Sequence, residues 1–155
     1  MAVVVEVLGA VGPEDEEPLA RLLGQLSSSA TFDIARIRAV LEHQATELLV
    51  ARLDGRIVGM ATLVSVPLPT GLRGHVEDVV VDQSLRGRGV ARQLLKQMTA
   101  MAEVQGMRTL DLTSRPSRES ALRLYESVGF ERRETNVLRF TPGANDLTVA
   151  PIRVP

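Results

Sequence analysis

Two arginines and two glycines, Arg86-Gly87-Arg88-Gly89, stand where a β-branched run that ends at Val81 gives way to an apolar pattern at helical spacing. The first amide N–H groups of a helix lack intrahelical partners, and the helix dipole is positive at that end. Glycines let those amides converge on a ligand without an obstructing Cβ, and arginines add positive charge. The stretch therefore has the residues of an anion-binding turn, for which pyrophosphate would be the natural ligand.

Other interpretations of this stretch are open on its residues alone. A strand-to-helix turn with solvated arginines needs the same glycines. The Gly-Lys-Ser/Thr ending of a P-loop and the three-glycine dinucleotide fingerprint are both absent. An Arg-Gly RNA-binding segment is a poor fit for one short pair of repeats between ordered elements, and the net charge of −1 provides no basic field. We therefore expect no nucleic-acid partner.

A histidine and two acids, His75, Glu77 and Asp78, begin the strand that leads into the turn. A carboxylate or a neutral imidazole in this place can accept a proton from a substrate. Side chains alternate along a regular strand, so Glu77 and Asp78 point to opposite faces unless a bulge intervenes. We expect one acid to serve a site and the other to be structural, and His75 to be a surface or turn residue.

The elements that must position these residues follow from hydrophobic periodicity and turn residues. Short apolar or β-branched runs predict strands at 3–9, on both sides of Asp54-Gly55, and at 75–82, 107–114 and 130–140. Helical spacing predicts helices after Pro13, after a Thr31 cap, from Val90 to Gly106, and before Gly129. Proline and glycine predict a loop over 67–74. This order predicts an α/β fold with a mixed sheet and helices on its faces.

Composition limits the class of protein further. The chain has 155 residues, of which 45% are hydrophobic, so we expect one domain over 1–155, with 141–155 as a tail or an extra strand. Without cysteine there is no disulfide, thiolate metal site or cysteine nucleophile, which fits a reducing cytoplasm. No signal-peptide pattern precedes the first apolar run, and no apolar stretch approaches the ~18 residues that span a bilayer. We expect a cytoplasmic protein with neither membrane nor metal as a partner.

Three motifs resemble one family. Arg86-Gly87-Arg88-Gly89-Val90-Ala91 matches R/Q-x-x-G-x-G/A, the acetyl-CoA signature of the GNAT superfamily of N-acetyltransferases. Downstream, "SALRLYESVGFERR" resembles the second motif of that family, Ala-x-x-Leu-Tyr followed by x-x-x-Gly-Phe. The strand "HVEDVVVD" is most similar to that of glucosamine-6-phosphate N-acetyltransferases. The resemblance covers residues 75–140 and implies the GNAT fold, a mixed, mostly antiparallel twisted sheet with helices on both faces and splayed central strands.

The resemblance also implies acetyl-CoA as co-substrate and a primary amine as acceptor, with direct attack in a ternary complex. Tyr125 takes the place of the general acid that protonates the CoA thiolate, although an aromatic packed within the helix face is the alternative. Glu77 is the first candidate for the base, directly or through water, with Asp78 and His75 behind it. A backbone N–H near Val80 would polarise the acetyl carbonyl.

Cofactor binding is expected to use mainly backbone groups. The amides of the turn would hold the pyrophosphate, and the strand edge would hydrogen-bond the pantetheine arm. The implied cofactor-binding residues are Val79, Val80, Val81, Arg86, Gly87, Arg88, Gly89, Val90, Ala91 and Arg118.

Arg118 departs from the family pattern, which often has asparagine three residues before the motif alanine. Arg118 and Arg115 are candidates to bind a CoA phosphate or an acidic group of the acceptor, because guanidinium pairs with oxyanions through two N–H groups. A solvated arginine in the first turn of the helix is the alternative for Arg118. Asn136, the loop 67–74 and the second helix are further candidates to face the acceptor.

The central strand favours a small-molecule amine, such as an amino sugar, polyamine or amino acid, over a protein lysine or N-terminus. A non-catalytic acyl-CoA-binding domain on the same fold is the alternative from another class, and the presence of Glu77 and Tyr125 argues against it. A homodimer is expected from the family, and the apolar tail "LTVAPIRV" is a candidate to add a strand to a partner.

Overall fold

A five-stranded sheet in the order β1-β2-β3-β4-β5 forms the centre of the protein in the computed structural model, which describes residues 2–143. The strands β1 to β4 are antiparallel to their neighbours, whereas β5 is parallel to β4. The mixed sheet predicted from the sequence is thereby confirmed. The strands are β1 (Val3–Val7), β2 (Thr46–Leu53), β3 (Arg56–Leu68), β4 (Gly71–Val81) and β5 (Leu110–Asp111).

Helices cover both faces of this sheet. In the described part of the chain they are α1 (Pro13–Leu26), α2 (Ile34–Glu42), α3 (Val90–Val104) and α4 (Glu119–Val128), with a single 3₁₀ turn at Gln83–Leu85. Leu48 and Val50 of β2 face α1 and α2, and the intervening Leu49 faces α3, as strand alternation requires. The N-cap of α2 is Asp33, whose carboxylate accepts hydrogen bonds from two backbone amides. The predicted cap at Thr31 was therefore wrong by two residues.

Two hairpins join the antiparallel strands. Asp54 and Gly55 both have positive φ, 50° and 80°, which is the turn that this dipeptide predicts. The predicted loop over 67–74 is wrong, because β3 and β4 stay paired through Leu68 and Gly71. Ser65 donates its N–H to the carbonyl oxygen of Ala45, so by alternation the nitrogen of Pro67 points to the same edge of β3. Because β2 has already ended there, no strand needs the N–H that proline lacks.

The pairing between β4 and β5 is brief, although the sequence predicts a strand over 107–114. Only Gly74 and His75 pair with β5, and the two strands then diverge. The ends of the Met107 and Leu110 side chains occupy the space that a Cβ at Gly74 would take, so glycine lets them pack directly against β4 here. The divergence leaves a gap beside the second half of β4, which is the splay that the resemblance implies.

The last predicted strand, 130–140, is not a strand in the structure. Every residue from 131 to 143 is exposed, and their backbone forms no hydrogen bond to another residue within 2–143. Strand propensity needs a neighbouring strand to be realised, and none lies beside this segment in the described chain. Most of the predicted tail, residues 144–155 with "LTVAPIRV", lies outside the described residues. Among residues 2–143, no helix combines the length and apolar character needed to cross a membrane.

A buried ion pair fastens α1 to the sheet. Asp15 is only 3% exposed, and its carboxylate accepts a hydrogen bond of 2.8 Å from Arg52 of β2, which also donates to Glu6 of β1 at 2.6 Å. The hydrogen bond from Arg52 is the main reason that the pKa of Asp15 is lowered from its ordinary value of 3.8. A lowered carboxyl pKa stabilises the fold above the unfolded-state value, and this stability is lost as the pH falls through the folded-state value.

We expect Asp15→Asn to lower the free energy of unfolding near neutral pH by about 2 kcal/mol, because a charge-assisted hydrogen bond is lost. The variant should also lose less stability than the parent chain as the pH falls below about 4. Both chains should still lose the part of their stability that comes from Asp82, whose pKa is also lowered. Urea unfolding at about pH 7 and about pH 3 measures both effects. Glu16→Gln, which removes an exposed charge from the same turn, is the control, and an equal effect of this control would contradict the assignment.

Candidate active site

A β-bulge in β4 brings both candidate acids to the same cavity. Met60 lies opposite Val80 and Thr62 lies opposite Glu77, so two residues, Asp78 and Val79, share one position of β3. Asp78 has a φ of 53°, in the left-handed region that is uncommon for residues other than glycine. Because the bulge resets the alternation, Glu77 and Asp78 both line the cavity between β4 and β5.

Backbone groups of β4 face the gap beyond the bulge. Asp82 donates its N–H to Val58 of β3 at 2.8 Å, and alternation turns the N–H of Val80 to the same side. The N–H groups of Val79 and Val81 therefore point away from β3, towards the gap where β5 has diverged. The donor available in the gap at this point thus belongs to Val79 rather than to Val80.

The turn from 86 to 91 has the geometry that its glycines predict. Gly87 and Gly89 have φ of 78° and 82°, and Gly89 is the N-cap of α3. No atom lies within 4 Å of a Cβ built on either glycine, so their side of the turn is open. Arg86 folds back and donates to the carbonyl oxygen of Val81 at 3.4 Å. The first amides of α3 lack partners within the helix, and Gly89, Val90 and Ala91 at this helix end line a cleft.

An elongated cleft of about 900 Å³ runs from this turn along the edge of β4 to α4. Three arginines line it, Arg86, Arg92 and Arg118, which gives the cleft the positive charge that phosphates require. Of the ten residues predicted to bind the cofactor, the structure brings nine together around this cleft. The exception is Arg88, which is exposed and does not line it. The nine are Val79, Val80, Val81, Arg86, Gly87, Gly89, Val90, Ala91 and Arg118.

A smaller cavity of about 140 Å³ opens between the diverging strands. Its walls include Glu77 and Asp78 from β4 and Leu112 and Thr113 from the chain after β5. The cavity and the cleft share four lining residues, and these define the point where the two meet. They are Leu26, Val79, Arg118 and Tyr125.

Tyr125 is held at this junction by the C-terminal end of α4. Its ring is half-buried against the core and lies edge to face with Phe130, with 6.3 Å between the ring centres. Gly129 ends the helix with a φ of 115°, and Phe130 donates its N–H to the carbonyl oxygen of Tyr125. The Tyr125 hydroxyl forms no hydrogen bond to another residue within 2–143, and Tyr125 lines both cavities.

The end of α1 is a part of the site that the sequence did not reveal. Gln25 and Leu26 line the cleft, and nothing in their residue types distinguishes them from other helix residues. Two contacts hold this end of α1 against the turn, since Arg21 pairs with Asp82 at 2.8 Å and Gln83 donates its N–H to Gln25 at 2.9 Å. The hydroxyl and amide of Ser84, followed by Arg21, keep the pKa of Asp82 below its ordinary value.

Several predicted acceptor contacts lie outside both cavities. His75, Arg115, Asn136 and the helix α2 contribute no residue to the lining of either. The segment predicted as the loop 67–74 also contributes no residue to the lining of either cavity. Most of it is paired strand at the far end of the β3–β4 hairpin.

The site combines a cationic cleft that ends at a helix N-terminus with a small cavity that contains acids and a tyrosine, and the two meet at splayed strands. This is the arrangement of an acyl-CoA-dependent N-acetyltransferase. The chain belongs to the Acetyltransferase (GNAT) family, whose family model matches residues 15–130. Enzymes of this family use acetyl-CoA as the acyl donor.

Individual relatives agree with this assignment. The chain is 32% identical to a glucosamine 6-phosphate N-acetyltransferase of Trypanosoma brucei brucei, over 73% of this chain and 80% of the relative. It is 29% identical to the N-alpha-acetyltransferase RimI of Mycobacterium tuberculosis, over 81% of this chain and 78% of the relative. A putative acetyltransferase from Agrobacterium tumefaciens superposes with a TM-score of 0.79 at 25% identity, over 89% of this chain and 99% of the other.

Proposed function

We propose that this enzyme transfers the acetyl group of acetyl-CoA to the primary amine of a small molecule, by direct attack within a ternary complex. The observation that carries the proposal is that the cofactor cleft and the acid-lined cavity meet at Tyr125 and Val79. A donor in the cleft and an amine in the cavity would then meet at these two residues.

The cleft fits acetyl-CoA in size and charge. The amides at the start of α3 and the side chains of Arg86 and Arg92 hold the phosphates. The pantetheine arm lies along the edge of β4 that β5 leaves open, where Val79 and Val81 present backbone groups. Bound in this way, acetyl-CoA supplies an activated acetyl group at the junction of the two cavities.

Three groups of the chain serve the transfer. Glu77 accepts a proton from the amine, directly or through water, so that the nitrogen has a free electron pair. The N–H of Val79 donates to the acetyl oxygen, which gains negative charge as the C–N bond forms. When the C–S bond breaks, the Tyr125 hydroxyl donates a proton to the leaving sulfur, and the second proton, which the nitrogen loses as it becomes an amide, restores that hydroxyl. The proton taken by Glu77 returns to solvent.

The acceptor is a small amine that carries an anionic group. The cavity of about 140 Å³ has room for one compact ligand, and Arg118 lies on its border, where a phosphate or carboxylate can pair with it. A relative named glucosamine 6-phosphate N-acetyltransferase supports a phosphorylated amino sugar as the first choice. We place the reaction in the cytoplasm, where a protein without cysteine has no need of an oxidising compartment.

The test is the release of CoA thiol from acetyl-CoA in the presence of different amines. Because the chain has no cysteine, a thiol reagent detects only the product. The panel contains an amino sugar with and without phosphate, a polyamine, an amino acid, a lysine peptide and a peptide with a free N-terminus. We expect the phosphorylated amino sugar to give the highest kcat/KM. Faster turnover of either peptide would show a protein acetyltransferase instead.

A thermal-shift measurement with acetyl-CoA separates binding from catalysis. If acetyl-CoA raises the Tm and no amine accelerates thiol release, the chain is a non-catalytic acyl-CoA-binding domain.

In the thiol-release assay Glu77→Gln should reduce turnover more than Asp78→Asn does. A higher pH should restore part of the turnover of Glu77→Gln, because the amine then loses its proton without help. The reverse order would assign the base to Asp78.

A further inference from the structure

One of the residues that line both the cleft and the small cavity approaches from the opposite side of the sheet. Val79 and Tyr125 pack against the core cluster that contains Leu94 of α3. Leu26, the last residue of α1, packs instead against the cluster that contains Leu19. Among the described residues that line both spaces, Leu26 is therefore the one apolar side chain that comes from the α1 side.

The position of Leu26 is fixed by the contacts of its helix end. The ion pair and the hydrogen bond described above hold the end of α1 against the turn before α3. Directly after Leu26 the backbone becomes extended at Ser27, whose N–H donates to the carbonyl oxygen of Leu23 at 3.1 Å. Leu26 is thus a wall of the site with a defined position.

An acyl group bound at this junction has one apolar wall left to contact, and this step rests on the proposed function. The pantetheine arm occupies the cleft, and the acceptor amine needs the small cavity. The N–H of Val79 and the hydroxyl of Tyr125 serve the acyl oxygen and the sulfur. An alkyl group against Arg118 would take a charge out of water, which is costly. The carbons beyond the acyl carbonyl therefore lie against Leu26.

We propose that Leu26 sets the length of the acyl group that the enzyme transfers, and that the limit in the natural chain is acetyl. Each further methylene must overlap Leu26 or take the space of the amine, and packed apolar side chains accommodate added volume poorly. One methylene too many in an apolar pocket changes kcat/KM by about 10–200-fold.

The chemistry of the transfer is the same for a longer chain. The C–N bond forms at the acyl carbon, the C–S bond breaks, and one proton of the neutral amine ends on the thiol of CoA. Leu26 takes no part in these bond changes. It is a specificity-determining residue, and its replacement should change which acyl-CoA is used rather than whether transfer occurs.

Thiol release with acetyl-CoA, propionyl-CoA and butyryl-CoA tests the proposal. The acceptor is the phosphorylated amino sugar, or whichever amine of the panel is acetylated fastest. In the parent chain we expect kcat/KM for butyryl-CoA to be at least about 100-fold below that for acetyl-CoA. Leu26→Ala, which removes three carbons, should raise the butyryl-to-acetyl ratio at least about tenfold. Leu26→Val, which removes one carbon, should admit propionyl-CoA but not butyryl-CoA.

Two control variants separate lost space from lost stability. Leu23→Ala is the matched control, because Leu23 packs against the same core cluster from the same helix and lines neither cavity. It should lower the Tm as Leu26→Ala does and leave the butyryl-to-acetyl ratio unchanged. Leu26→Met conserves the volume of the side chain and should keep the limit of the parent chain.

The same assay distinguishes failure of this inference from failure of the proposed function. A parent chain that uses butyryl-CoA as well as acetyl-CoA, or an equal ratio in Leu26→Ala and Leu23→Ala, would overturn the role of Leu26 while acetyl transfer stands. A parent chain that transfers no acyl group would overturn the proposed function and this inference with it. A rise of the Tm with acetyl-CoA shows that each variant is folded, and Leu26→Val decides the outcome if Leu26→Ala is not.

Discussion

Replacing Tyr125 by phenylalanine is expected to lower kcat about 100-fold or more, the usual contribution of a positioned proton donor. The hydroxyl is the only group removed, and within residues 2–143 it forms no hydrogen bond that holds the fold together. The ring keeps its edge-to-face contact with Phe130. The expected loss is therefore confined to the step in which the thiolate leaves.

The measurement combines steady-state kinetics with acetyl-CoA binding and a thermal melt. For Tyr125→Phe we expect an unchanged Kd for acetyl-CoA and a Tm close to that of the parent chain. Ser127→Ala is the control, since it removes a hydroxyl from the exposed side of the same helix and should leave kcat unchanged. Full activity in Tyr125→Phe would mean that water protonates the sulfur and that Tyr125 serves only packing.

Gly89→Val is expected to weaken acetyl-CoA binding at least tenfold. The left-handed φ of 82° costs a β-branched residue about 1–2 kcal/mol or more, and the backbone relaxes by turning the amides of the turn away from the phosphates. Steric contact plays no part, because the space around the missing Cβ is open. Gly89→Asn should bind more tightly than Gly89→Val, since asparagine tolerates this conformation.

Two controls separate binding from folding in this case. Arg88→Ala should change the Kd for acetyl-CoA less than threefold or so, because Arg88 does not line the cleft. Gly106→Val imposes the same strain, at a φ of 73°, at the end of α3, away from the turn, so it should lower the Tm without weakening binding. A larger effect of Arg88→Ala than of Gly89→Val would mean that the Arg88 side chain contributes more to phosphate binding than the backbone of the turn does.

Much of the fold was accessible from local rules. The glycine turn between Val81 and Val90 and the Asp54-Gly55 hairpin require particular backbone angles, and the structure has those angles. The amphipathic helix that ends at Gly129 carries Tyr125 to the gap, the place that the resemblance to the second GNAT motif implies. These features are encoded within a few residues of where they occur.

The features that the sequence did not predict depend on distant contacts. The bulge at Asp78 is a mismatch in register between β3 and β4, and neither strand shows it alone. The brevity of β5 depends on where β4 diverges, so the pattern over 107–114 exceeds the actual strand. The segment 130–140 has the residue pattern of a strand, but a pattern cannot supply the neighbouring strand on which strand formation depends.

The contacts between the end of α1 and the turn before α3 have a thermodynamic consequence. The pair of Arg21 with Asp82 and the hydrogen bond from Gln83 to Gln25 link the turn before α3 to the helix end that carries Leu26 into the small cavity. A shift of this turn on binding of the proposed cofactor would therefore also move the wall of the cavity proposed for the acceptor. Coupling of this kind is reciprocal, so whatever factor acetyl-CoA applies to the affinity for the amine, the amine applies to the affinity for acetyl-CoA.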